Sequence, residues 1–398
     1  MNKRISTLAV ACVSLLAASL AVAAPAAAHS RGDPAPGGSG GTGTPVILAE
    51  GLAGPLSLEV DRSGTAWVSQ SFAGLLTQVN RDGTTTTLAS APAGESIGAV
   101  SERKGTAYYA QTADDHSAST LRAVGKDGAV TEVADLFAHE NSENPDQVNT
   151  YGFVGLDPEC AAQFDPSAPP FLPATYDGVV DTNPSASLAL RDAVYVADAG
   201  ANAILRVDYD GTVSTVAVLP PGDPIEATPD ILAAVGFPAC AAGYDYRFEP
   251  VPTDVELGPD GWLYVTSLPG GPEDASLGAR GSVYKVNPDT GETVRLATGF
   301  LGATNLAVAR GTGTVYVAEL FGGPDGTGQL SVLERRSDTP KALLAVSSPA
   351  AVELRGGSLY VTTDAFVPDA TGAPQPIGTV TRIPLTGSRQ AEDSGHDD

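Results

Sequence analysis

The amino-acid sequence predicts an all-β chain folded as a six-bladed β-propeller, with an N-terminal strand completing the last blade. Three observations carry this. A unit of four short strands recurs six times along the chain. An aromatic residue recurs in the second strand of every unit. The sixth unit lacks its fourth strand, and an apolar strand without a partner of its own precedes the first unit.

The first unit reads PLSLEVDRSGTAWVSQ (55–70) and then GLLTQVNRDGTTTTLA (74–89). The second has SIGAVSERKGTAYYAQ and STLRAVGKDGAVTEVADL, and the third is continuous from 183 to 219. The fourth runs through VPTDVELGPDGWLYVTS, the fifth through ATNLAVARGTGTVYVAE, and the sixth through PAAVELRGGSLYVTTD. Apolar residues alternate with polar ones and are rich in β-branched and aromatic types, which is the pattern of strands. The recurring aromatics are Trp67, Tyr108, Tyr195, Tyr264, Tyr316 and Tyr360. Asp-Gly and related pairs separate the strands, because such turns need residues that tolerate positive φ. PVILAE (45–50) is the displaced strand, and its pairing with the sixth unit removes an open sheet edge.

The chain has 398 residues and a formal charge of −25. That charge argues against nucleic acid, whose phosphates demand clustered Lys and Arg. The N-terminus reads as a signal peptide over 1–28. Lys3 and Arg4 precede an apolar run broken only by Ser14 and Ser19, and Ala26-Ala27-Ala28 forms a small-residue cleavage site. The expected mature chain is therefore exported, secreted and without a membrane span. Residues 29–44 read as a flexible leader, 45–387 as the propeller, and 388–398 as a disordered acidic tail. Removing the signal leaves Cys160 and Cys240. In an exported chain two cysteines suggest one disulfide, here closing about eighty residues for a stabilisation on the order of 4 kcal/mol.

Strand order sorts the loops onto two faces. Connections between strands one and two, and three and four, are tight turns such as DRSG, NRDG and DYDG. The remaining connections lie at the opposite end and are long, with two insertions over 137–181 and 220–250. Long loops on a rigid scaffold are where function concentrates. The insertions carry Tyr151, Phe153, Phe164, Phe171, Tyr176, Phe237, Tyr244, Tyr246 and Phe248, enough for a satellite core or for a stacking surface. Ser57, Asp254 and Asn305 fall near the channel entrance, Asp198 and Glu319 at the ends of second strands, and Asp181 and Asn183 just before the third unit. Their oxygens make Asp181, Asn183, Asp198, Asp254, Asn305 and Glu319 the candidate binding residues. Asp254 and Asn305 are the candidate ligands for Ca²⁺ or another divalent cation. His29, His116, His139 and His396 have no Ser or Cys nucleophile arranged beside them, and no metalloprotease, phosphate-loop or paired-cysteine motif occurs.

VADAGANAILRVDYDGTVSTVAVLPP (196–221) resembles an NHL-type propeller repeat. With DTNPSASLAL and VPTDVELGPDGWLYV, it makes the chain similar to the ScyD/ScyE family of exported proteins over about 45–385. That resemblance implies a propeller but carries no catalytic residues with it. Two function classes follow. One is a monomeric scaffold that binds a small molecule or a protein through its loop-rich face. The other is a metal-dependent enzyme like the lactonase and lyase propellers. Resemblance to those implies acidic or histidine ligands around the channel mouth, whereas this chain has Ser57 where the first unit would supply a carboxylate.

Overall fold

The computed structural model describes residues 40–167 and 173–387. The expected signal peptide, most of the leader, Phe171 and the acidic tail lie outside these residues. Among the described residues no helix is long and apolar enough to cross a membrane.

The chain is all-β and propeller-like, built from antiparallel four-stranded sheets that follow one another in sequence. The first comprises Leu58–Val60, Ala66–Gln70, Leu75–Val79 and Thr85–Ser90. The second starts at Glu95–Arg103, the third at Pro184–Ala189, the fourth at Pro252–Leu257 and the fifth at Ala303–Ala309. The last sheet starts at Val352–Arg355 and continues through Ser358–Thr363 to Gly378–Gly387. Its outer edge pairs with Val46–Leu52, Val46 lying opposite Arg382 and Leu52 opposite Gly378. Gly40–Thr42, within the expected leader, pairs with 385–387.

The turns form as their sequences require. Asp61 Oδ1 accepts the amides of Ser63 and Thr65 at 2.8 and 2.9 Å, and Gly64 takes φ of 84°. Gly211 sits at φ 92°, where a Cβ would also lie 2.9 Å from the Val133 carbonyl oxygen.

The core is divided among the seams between consecutive sheets, and the recurring aromatics explain how. Trp67 packs into the seam between the first and second sheets, Tyr195 between the third and fourth, and Tyr264 between the fourth and fifth. Tyr316 fills the seam between the fifth and last sheets. Tyr360 joins Leu58, Val60, Ala351 and Val380 in a cluster shared by the last and first sheets, to which Ala49 and Leu52 also belong. Tyr108 is only partly buried and leans on the seam between the second and third. Each unit thus supplies one large side chain that fills the wedge toward its successor.

Candidate functional site on the loop-rich face

The two insertions fold together. Thr150–Phe153, Thr175–Asp177, Ile225–Glu226 and Asp245–Arg247 form a small separate sheet. Cys160 and Cys240 are bonded, with Cα atoms 5.7 Å apart. The insertion aromatics make a satellite core rather than a stacking surface. Phe153 packs edge-on against Tyr246 at 4.9 Å, Phe164 and Phe237 lie 5.3 Å apart, and Leu232 and the disulfide complete the cluster. Beside it the edge formed by 150–156, Thr175 and Arg247 lines an open groove of about 320 Å³.

The candidates at the channel mouth hold the sheets to one another. Asp254 Oδ2 accepts the Leu306 amide at 2.8 Å, and Asn305 Oδ1 accepts the Val352 amide at 2.7 Å. Ser57 Oγ accepts the Val100 amide at 2.8 Å, and Ser187 Oγ donates to the Ala99 carbonyl at 2.6 Å. Each bond crosses a seam. Burial pushes the Asp254 carboxyl up to about 7 against the amides that favour its charge. Lower in the channel Glu59, Glu256 and Glu353 share one register, opposite Trp67, Tyr264 and Tyr360. Arg355 pairs with Glu59 at 2.9 Å, approaches Glu353 at 3.9 Å and donates to the Val60 carbonyl, linking the last sheet to the first. Glu319 is also engaged: its oxygens accept the Leu301 amide at 2.7 Å, Gln329 at 2.9 Å and the Ser331 hydroxyl. Asp254, Asn305 and Ser57 each accept a backbone amide across a seam, so their first role in the fold is to join neighbouring sheets.

Asp181, Asn183 and Asp198, by contrast, come together at the root of the first insertion. Asp198 is fully buried, and its Oδ1 accepts the amides of Asn183, Gly200 and Ala201 at 2.7, 3.1 and 3.3 Å. Asp181 Oδ1 meets His116 Nδ1 at 2.7 Å. Burial opposes charge on His116, but the Asp181 contact prevails and raises its pKa above the ordinary value. Sequence reasoning missed the neighbours. Glu140, at 0% exposure, lies on the helix Leu136–Glu143, and Asp146 lies in the turn that follows. Asp146 Oδ2 accepts from Asn202 at 2.8 Å and from the Tyr151 hydroxyl at 3.2 Å. Burial first, then the charges of Asp198 and Asp146, raises Glu140 to about 8. Burial likewise raises Asp198 to about 7 and Asp146 to about 6. Glu249, half-buried at the edge of this group, is raised to about 7 by burial despite hydrogen bonds from Tyr176 and Asn202. The only signal for Glu140 in the sequence is faint: it stands four residues after Leu136, on the inward face of the helix.

No protein-family model matches the chain, and no curated protein matches it significantly. Its fold is similar to that of solved structures. One is the PQQ-bound aldose sugar dehydrogenase of Streptomyces coelicolor, 15% identical over 88% of this chain and 100% of that one, with a TM-score of 0.53. A second is a putative oxidoreductase (glucose dehydrogenase) of Thermus thermophilus, 17% identical over 86% and 100%, with a TM-score of 0.50. A gluconolactonase of Xanthomonas campestris is 12% identical over 86% and 89%, with a TM-score of 0.48. The first two show the likeness to be one of fold: a propeller-like β architecture.

Proposed function

We propose that this chain is an exported, monomeric six-bladed β-propeller of the ScyD/ScyE kind, which serves as a scaffold binding a small molecule or a protein through its loop-rich face. The pairing of Val46–Leu52 with the last sheet, and the core shared by the last and first sheets, support a ring closed by the chain's two ends. The observation that carries the functional reading is the insertion pair. It is a second, disulfide-linked sheet with its own aromatic core, built on one face of a scaffold whose other face has tight turns throughout. That unit leaves apolar side chains in solvent: Val148 is 75% exposed, and Val154, Val179 and Val180 are about as open as surface residues usually are. Leu56, Phe72 and Ile377 are exposed in other loops of the same face, whereas Tyr209 is exposed in a tight turn and Val46, Ile47, Val130 and Val294 on outer strands. The apolar side chains exposed on the insertions and neighbouring loops of that face offer a binding surface.

The enzyme reading would take a divalent cation at the channel mouth. The engagement of Asp254 and Asn305 by backbone amides favours the scaffold over it. Photo-crosslinking residues placed at Val154, at Phe72 and, on the opposite face, at Asp210 test the choice in cells that produce and export the protein. Adducts from the first two positions and none from Asp210 are expected. Equal yields from both faces contradict a functional loop-rich face.

A further inference from the structure

The two insertions carry acidic residues throughout and a single Lys or Arg between them, Arg247. Arg247 is exposed, and among the described residues its guanidinium has no ion-pair or hydrogen-bond partner. Asp223 of the second insertion pairs instead with Arg295 of the fourth sheet, at 2.7 Å. Arg247 is also the one charged residue that lines the open groove of about 320 Å³ on the insertion sheet.

Strand register builds that groove. Gly152 lies opposite Thr175 on one side and Arg247 on the other. Directly opposed residues of antiparallel strands share a face, so these positions stand together with Thr150 and Val154 on the outer face of the sheet. Phe153 and Tyr246, also opposed in register, turn to the other face and enter the satellite core. Gly152 stands at φ 90°, and a Cβ there would lie 2.4 Å from the Ala174 carbonyl oxygen. Only glycine fits, which leaves a bare floor between Thr175 and Arg247. Exposed Val154 and half-buried Leu156 add an apolar wall. Asp177 opposes Thr150 and the Asp245 carbonyl accepts the Val154 amide, yet neither acid lines the groove.

The lining selects the ligand. A cavity of this size takes a small molecule rather than a protein surface. One guanidinium offers paired N–H donors to a planar anion and balances one negative charge. Among so many acids that favours a carboxylate over a doubly charged phosphate. The hydroxyls of Thr150 and Thr175 already donate, to Asp177 at 2.8 Å and to the Phe153 carbonyl at 3.0 Å, so Arg247 is the side chain left to bind the anion. We propose that this groove binds a small organic monocarboxylate, its anion held by Arg247 and its apolar body laid over Gly152 against Val154 and Leu156. The proposal rests on the loop-rich face being the binding face and gives that face a ligand class. A chain of net charge −25 repels anions at long range, so an acid that binds does so through local contacts.

Ligand-observed NMR with the mature protein tests this, using a panel of aliphatic and aromatic monocarboxylates, 4-phenylbutyrate among them, each paired with its primary amide. Saturation transfer is expected to the acids and not to the amides. Arg247→Gln weakens acid binding about tenfold or more. Val154→Asp, which sets a like charge beside the anion, weakens it too. Both side chains are exposed, so these variants keep the fold. Arg81→Gln removes a cation from the opposite face and leaves binding unchanged. No binding of any acid, acids and amides binding alike, or acid binding that survives Arg247→Gln would each overturn the groove as a carboxylate site. Crosslinks from Phe72 beside any of those results would keep the loop-rich face as the binding face and strike the groove alone.

Discussion

The Leu306 amide is buried where the fourth and fifth sheets meet, and the Asp254 carboxylate is its acceptor. Asp254→Ala leaves that amide without a partner and should cost about 1–3 kcal/mol. Asp254→Asn, which keeps an acceptor oxygen, should restore most of it in denaturant unfolding. A loss of equal size in both variants would mean that the charge, not the hydrogen bond, matters there. Glu353 tells the opposite story. Burial, then the charges of Glu256 and Glu59, raise its pKa well above the ordinary carboxylate value, with Asp254 adding to the rise and Arg355 opposing it. A group whose folded pKa is raised contributes stability fully at pH below its unfolded pKa, near 4.5, and loses that contribution as pH climbs through the folded value. Glu273, raised to about 7 by burial, acts in the same sense. Tm should therefore fall between pH 5 and 8, and Glu353→Gln should flatten the fall. A variant whose pH profile superimposes on that of the wild type would show Glu353 to be fully ionised throughout.

At the scale of elements, the insertions owe their order to one another. Their sheet has two- to four-residue strands, too short to persist alone, and its strands come from both insertions. The disulfide and the Phe153–Phe164–Phe237–Tyr246 cluster hold them together. Under reductant, limited proteolysis should cut first within 137–181 and 220–250, leaving the four-stranded sheets intact. Cleavage spread evenly over the chain would contradict a separate satellite unit. The sequence displayed the repeated sheets well, because alternation, Asp-Gly turns and one aromatic per unit follow from local chemistry. The two cysteines and the aromatic content of the insertions were equally visible, but whether those rings stack on a ligand or on each other was not. The answer depended on bringing Phe153, near one insertion's start, onto Tyr246, near the other's end. The role of Asp254 was hidden for a related reason. Its partner amide lies 52 residues on, and nothing local to Asp254 distinguishes a carboxylate facing a backbone amide from one facing a metal. Glu140 was hidden by its setting, an acidic residue in a segment reading ENSEN, where exposure is the ordinary expectation.

Over the whole molecule, consecutive sheets share a core at each seam, and the last seam includes residues from both ends of the chain. Arg355 reinforces that seam by reaching from the last sheet to Glu59 and the Val60 carbonyl. Such a frame places the tight turns on one face and the insertions on the other, which is how a repetitive sequence comes to present a single elaborated surface. A ring closed by the chain's own ends needs the first strand to complete the last sheet. Native-state hydrogen exchange at the Val46–Leu52 amides tests it most directly. Protection there equal to that of the other outer strands, such as Thr85–Ser90 and Val213–Val218, is the predicted result. Exchange as fast as that of an unstructured segment, with the other outer strands still protected, would contradict a ring closed by the chain's own ends.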